Sequence, residues 1–300
     1  MKDLETPRKI LRTLLDKEMS DSDWKSSFPF SGVHPFWEKQ RLKLRDYILN
    51  HDYSGFLNHS VARDTFFRVG QAPETKHELS VIKGTDLGRS ILSMMCEPDV
   101  GEPLKDSIVP GMSTSMLGMA YNLVRLFEVQ KAWPNEVVEL GGGYGSFSWL
   151  FTQFWPVASY AIIDLPEMIA LQYYFLEAAG RKVVVPKDPS EVVLGSSEIT
   201  LIPHYFLPSL RIHTALFYST FALTESSRSL QQEVEKLRYF GADTLFIAGQ
   251  LNSQPCPEDM NPQSDSLHNL LIGEIVEQFS KVCIERWHIG RNFLLTATNN

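Results

Sequence analysis

The residues best placed to do chemistry stand together in VVELGGGYGSF, Val137 to Phe147. An apolar run carries the acid Glu139, and Gly141, Gly142, Gly143 and Gly145 follow around Tyr144. Glycine allows positive φ in a tight turn and lets main-chain N–H groups approach a ligand closely, while a helix N-terminus behind the turn favours polar or anionic groups. Such a loop can cradle a cofactor. Its spacing excludes the dinucleotide fingerprint GxGxxG: begun at Gly141 the pattern needs glycine where Ser146 stands, and begun at Gly142 it needs glycine where Tyr144 stands. What is present is ExGxGxG, on Glu139, Gly141, Gly143 and Gly145. A second acid, Asp164, ends the run SYAIID 19 residues after Gly145, the distance at which an α/β crossover brings a carboxylate to ribose hydroxyls.

For these acids to meet, both must sit at the ends of neighbouring parallel strands. After Trp133-Pro134 the chain alternates short Val- and Ile-rich runs with helical stretches, the mark of βαβ units. The pattern predicts strands at Val137 to Leu140, Tyr160 to Ile163, Ile199 to Ile202, Ala215 to Tyr218 and Thr244 to Ala248, with KVVVP (Lys182 to Pro186) as a short extra one. Helices are expected over Phe147 to Phe154, Glu167 to Ala179, Glu225 to Phe240 and Ser266 to Ser280. Val282 to His288 and Phe293 to Thr296, split by Gly290-Arg291-Asn292, read as an antiparallel pair added to the parallel sheet.

Up to about residue 130 the sequence reads as helices joined by polar loops. Thr6 as N-cap and Pro7 in the first turn open the first, Phe36 to Leu49 recurs at three- and four-residue spacing, and Ser113 to Gln130 puts Met116, Met119, Ala120, Leu123 and Phe127 on one stripe. Residues 50–110 give no clear pattern. The division expected is a helical region over 1–130, acting as a lid or oligomer interface, and an α/β domain over 131–300.

Composition bounds the function. Hydrophobic residues make up 43% of the 300 and charged ones 21%, enough to bury a full core, and the net charge of −8 without a basic cluster argues against nucleic acid. Cys96, Cys256 and Cys283 are widely spaced and odd in number, which suits a reducing compartment better than a disulfide framework or a zinc site. With no run of roughly 20 apolar residues, no membrane span is predicted, and a cytoplasmic protein is expected.

Together, VVELGGGYGSF, IIDLPEM, ITLIPHYFLPSL (Ile199 to Leu210), LFYSTFALTES (Leu216 to Ser226) and the hydroxyl-rich STSMLGMAY make the last 190 or so residues resemble the sugar O-methyltransferases, a bacterial group of the class I S-adenosylmethionine-dependent methyltransferases. The resemblance implies an α/β fold with a Rossmann-like methyltransferase sheet, parallel with a C-terminal antiparallel hairpin, preceded by a mainly helical N-terminal region. It implies S-adenosylmethionine as cofactor and a sugar-like small-molecule substrate; no metal ligands are assigned, and the N-terminal helices leave a homo-oligomer open. In such a protein Glu139 acts through the methionine ammonium group, and Gly141, Gly143, Tyr144 and Gly145 line its amino-acid portion. Asp164 and Leu165 follow the second strand on the ribose side, His204 and Tyr205 the third on the adenine side, and Ser219, Thr220 and Glu225 the fourth, beside the methyl group. The chain departs from the family's pattern at Ser219 and Thr224, where asparagine and glutamine are usual, and this touches the substrate and the catalytic residues.

Methyl transfer to a hydroxyl needs a proton acceptor near the strand ends. His268, Glu225 and His204 are the candidates, and Glu258-Asp259 is the only nearby acidic pair a metal could use. Two other classes of function stay open: a catalytically silent partner protein of the same fold, and, less favoured by the glycine spacing, an NAD-binding oxidoreductase.

Overall fold

The structure, a computed structural model, describes residues 3–20, 35–62, 72–105, 108–130, 132–156, 158–195, 197–250, 272–286 and 292–299. Among the described residues five α-helices come first: α1 (Glu5–Ser20), α2 (Pro35–Asn50), α3 (Ala72–Gly84), α4 (Asp86–Met94) and α5 (Thr114–Gln130). The α/β part follows as β1 (Glu136–Leu140), α6 (Ser146–Phe154), β2 (Ser159–Asp164), α7 (Pro166–Ala178), β3 (Val183–Val184), β4 (Ile199–Pro203), β5 (Leu216–Thr220), α8 (Arg228–Lys236), β6 (Thr244–Gln250), α9 (Ile272–Gln278), β7 (Lys281–Arg286) and β8 (Asn292–Thr298).

The eight strands form one sheet in the order β3-β4-β2-β1-β5-β6-β8-β7. The first six in that order run parallel, and β8 pairs antiparallel with both β6 and β7. This is the Rossmann-like α/β architecture with a C-terminal antiparallel hairpin that the sequence leads one to expect. The chain winds outward from β1 through β2 to β4, then crosses back to β5 on the other side of β1. The strand order thus reverses between β1 and β5, and open α/β sheets bind ligands beyond the carboxyl ends of the strands at such a reversal.

Period-two alternation assigns each residue a face. Val137, Tyr160, Ile162, Leu216 and Tyr218 pack on one side, while Val138, Ala161, Ile163, Phe217 and Leu245 pack on the other. The first side is continuous with the N-terminal helices: Leu11, Leu14, Leu44 and Ile48 share a cluster with Phe147, Ile169 and Phe175. Residues 1–130 therefore contribute to the core of the sheet domain. Residues 72–94, which carried no clear pattern, form α3 and α4. Ser113 caps α5, its Oγ accepting from Met116 N–H at 3.1 Å. This helix is buried well beyond the expected stripe, because α3, α4 and α6 all pack on it.

Three local expectations are corrected. The N–H groups opening α1 are satisfied by the Asp3 carboxylate, on Glu5 and Thr6, and not by a Thr6 cap. The helix expected from Glu225 starts at Arg228, because Ser227 caps it by accepting from Leu230 N–H at 3.3 Å. It does not run on to Phe240: Arg238, Tyr239 and Phe240 take left-handed φ of 51°, 51° and 59°. Ser266 to Ser280 is described only from 272, where α9 runs to Gln278. No helix among the described residues is long and apolar enough to cross a membrane.

Candidate functional site

The glycine loop continues the sheet before it turns. Gly141 N–H donates to Ile163 O at 2.9 Å, and Gly141, Gly143 and Gly145 then take φ of 77°, 56° and 91°, a region side chains rarely enter. A Cβ on Gly141 would stand 2.0 Å from Ala222 Cβ, and one on Gly142 would stand 2.6 Å from Ile162 Cγ2. The loop is thus pressed between β2 and the turn after β5, at the reversal of strand order.

Both predicted acids converge on it. Glu139 is buried, and its Oε2 accepts from the Tyr160 hydroxyl at 2.8 Å. Asp164 Oδ1 accepts from Leu165 N–H at 2.8 Å and Oδ2 from Gln172 Nε2 at 2.7 Å. Gly142 lies between the acids: a Cβ there would come within 3.3 Å of Glu139 Oε2, and its N–H hydrogen-bonds to Asp164. Burial outweighs these donors, raising Glu139 to about 8 and Asp164 to about 7.

The two raised values predict a pH dependence. An acid whose pKa is higher folded than unfolded keeps its proton longer in the native state, so stability falls as pH rises through that window. Buried His204, with its pKa pushed well below 6.5 by burial, works in the opposite sense only below 6.5. Between pH 6.5 and about 8 the thermal midpoint should therefore fall, and Glu139→Gln should remove most of the fall. A parental midpoint that stays flat or rises across this range would contradict the buried, protonated acids.

Gln172 was not singled out in the sequence. Wholly buried two turns into α7, it donates from one nitrogen to Gly143 O at 2.9 Å and to Asp164, tying loop to acid. Its Oε1 takes no hydrogen bond among the described residues. No motif marks a lone glutamine on an apolar helix.

The remaining predicted residues divide. Tyr144 turns its ring into the core, edge-on to Phe56 at 5.9 Å and Phe175 at 4.9 Å. Leu165 is the residue before α7. Ser219 is fully buried, its hydroxyl donating to Leu140 O at 2.9 Å and accepting from Leu223 N–H at 3.1 Å, so it fastens the β5 turn to the end of β1. Among the aromatics, Phe147 stacks on Tyr218 at 3.9 Å, Tyr205 lies edge-on to His204, and Trp149 and Phe206 are buried, so these rings are core. His268 and Glu258-Asp259 lie outside the described residues.

His204 and Glu225 both meet the N-terminal helices. His204 is buried with its Nε2 3.4 Å from Glu18 Oε1 of α1. Glu18 accepts from Arg41 of α2 at 2.7 Å, and Arg41 Nε donates to Glu167 Oε2 at 2.9 Å. Arg45 adds a bond to Glu167 Oε1 at 2.7 Å. Glu225 lies in the turn after β5, three residues past Ala222, and its Oε2 accepts from Trp37 Nε1 of α2 at 3.0 Å. Burial raises its pKa, and the Trp37 bond partly offsets this. Helices α1 and α2 thus cover the residues that directly follow β2, β4 and β5. No sequence signal links positions so far apart.

No family model and no curated protein matches the sequence. Among solved structures it is similar to the pyocyanin biosynthetic protein PhzM, at 14% identity over 85% of this chain and 76% of that one, with a TM-score of 0.40. It is also similar to magnesium protoporphyrin IX methyltransferase from Synechocystis PCC 6803 with bound SAH, at 11% identity over 87% and 100% of the two chains and a TM-score of 0.41. An O-methyltransferase family protein from Burkholderia thailandensis gives 11%, 79% and 75%, and 0.39. Likeness at this level carries no argument about what this chain does, and the fold rests on the sheet order and register above.

Proposed function

We propose that this chain is an S-adenosylmethionine-dependent methyltransferase acting on a hydroxyl of a sugar or glycosylated small molecule. The observation that carries the reading is the convergence of Glu139, Asp164 and three left-handed glycines at the reversal of strand order. The residues fit a ligand that is cationic at one end and hydroxylated at the other. Glu139 lies against Gly142 of the loop and gains a counter-charge from an ammonium group, while Asp164 and Gln172 Oε1 are acceptors for ribose hydroxyls. Bound here, the cofactor supplies a methyl group on a positively charged sulfur.

The chain's own part is to orient and to move one proton. Gln172 holds Gly143 and Asp164 in one arrangement, which fixes the cofactor's sugar. Helices α1 and α2 act as a lid over the strand ends and keep water from the reacting groups. Glu225, beside the loop and with its pKa raised, accepts the proton of the acceptor hydroxyl. His204, held under the lid with Glu18, serves to dock it. The sugar assignment is supported by the resemblance in the segments after β4 and β5.

Asp164→Ala should weaken S-adenosylmethionine binding by about 1 to 3 kcal/mol, the range for lost charge-assisted hydrogen bonds, with the far-UV spectrum unchanged. Unaltered affinity would remove Asp164 from the site. The reaction itself is tested with methyl-labelled cofactor and a panel of free sugars, nucleotide sugars and glycosides. Label appearing as an O-methyl ether on a sugar supports the reading. Label found only on nitrogen or carbon acceptors would overturn the hydroxyl assignment.

A further inference from the structure

Among the described residues one edge of the sheet is the strand β7, outermost in the order and paired with β8 through six consecutive residues without a bulge. An outer strand presents unpaired N–H and C=O groups, and proteins that stay monomeric usually blunt it with proline, a bulge or charged side chains. KVCIER has no proline and no bulge, and its charges are of both signs on one face, Lys281 with Glu285, so they can pair across a two-fold where charges of one sign would repel. Lys281, Cys283 and Glu285 share one face of the strand and Val282, Ile284 and Arg286 the other. Cys283 is exposed, and Ile284 is a 40% exposed aliphatic side chain in mid-strand.

We propose that β7 pairs antiparallel with β7 of a second copy of this chain, about a two-fold axis at Cys283, so that one sheet runs through a dimer. The sequence of the strand is complementary to itself in that register. Lys281 falls opposite Glu285 of the second copy, Val282 opposite Ile284, and Cys283 opposite Cys283, and the two-fold repeats each pair. Moving the axis by one residue sets Lys281 against Cys283 in one direction, and in the other it sets Glu285 against Cys283 and Val282 against Arg286. Only the central register joins both opposite charges and both aliphatic pairs. Each Glu285 already holds Arg125 of α5 at 2.5 Å, and Arg125 also holds Glu128, so two carboxylates share one guanidinium. Lys281 from the second copy supplies the further positive charge. The inference is independent of the reaction the chain performs.

Sedimentation velocity of the full chain from about 1 to 100 μM tests it. A dimer is expected, with Lys281→Glu driving it to monomer and the double charge exchange Lys281→Glu/Glu285→Lys restoring it. Under diamide, which takes up two electrons and two protons as a disulfide forms, a covalent dimer should appear. It should vanish in Cys283→Ser and persist in Cys96→Ser/Cys256→Ser. A parental protein that is monomeric throughout overturns the proposal. So does a dimer indifferent to Lys281→Glu, a charge exchange that fails to restore it, or a cross-link that survives Cys283→Ser.

Discussion

Replacing Glu225 by glutamine is expected to lower turnover by roughly 10²- to 10⁴-fold while leaving S-adenosylmethionine affinity near the parental value, since help from a general base is felt only in the transition state. Glutamine keeps an oxygen for the Trp37 indole N–H and nearly the same volume, so the contact with α2 survives and the loss reports chemistry. The parental pH–rate profile should carry an acid limb shifted above the ordinary glutamate range, because burial raises this carboxyl, and the variant should lose that limb. Single-turnover rates with saturating cofactor make the measurement. Parental turnover in Glu225→Gln would move the proton acceptor elsewhere, with His268 the next residue to replace.

Arg41→Ala should cost about 3 to 5 kcal/mol of folding stability, the range for removing one partner from a buried ionic network. Glu18 and Glu167 both depend on this guanidinium, and Glu167 has no exposed side-chain surface. Without Arg41 the buried Glu167 carboxylate is left with Arg45 as its one remaining guanidinium partner, an ion that is costly to bury half-paired. Urea unfolding at neutral pH gives the number. Arg45→Ala should be milder, since Arg45 is about one-third exposed and Arg41 still holds Glu167. A loss below about 1 kcal/mol for Arg41→Ala would mean that the network does not fasten the helices to the strand ends.

The α/β half of the fold was legible because its signals are local. Val-rich runs ending in glycine or acid locate β1 and β2 within a residue or two, and the chain order of strands and helices restricts the topology. The glycine loop and Asp164 were legible for the same reason, since the turn constraint and the crossover length both lie within thirty residues. What the sequence hides is long-range. Arg41 meets Glu167 across 126 positions and Trp37 meets Glu225 across 188, and neither pair carries a spacing that could be recognised. Tyr144 and Ser219 were assigned to the cofactor from their places in motifs. Their side chains instead meet Phe56 of the N-terminal region and the carbonyl of Leu140, contacts that only tertiary packing creates. The early end of the helix after Ser227 follows from the left-handed turn at Arg238, which no glycine or proline announces before Gly241.

The glycine loop at the end of β1, with Glu139 and Asp164, is expected to take S-adenosylmethionine. Calorimetric titration of the intact protein with S-adenosylmethionine, its demethylated product and NAD, repeated on Asp164→Ala, tests it most directly. One-to-one binding of the first two is expected, weakened in the variant, with no heat from NAD. Binding of NAD alone, or S-adenosylmethionine affinity untouched by Asp164→Ala, would contradict it.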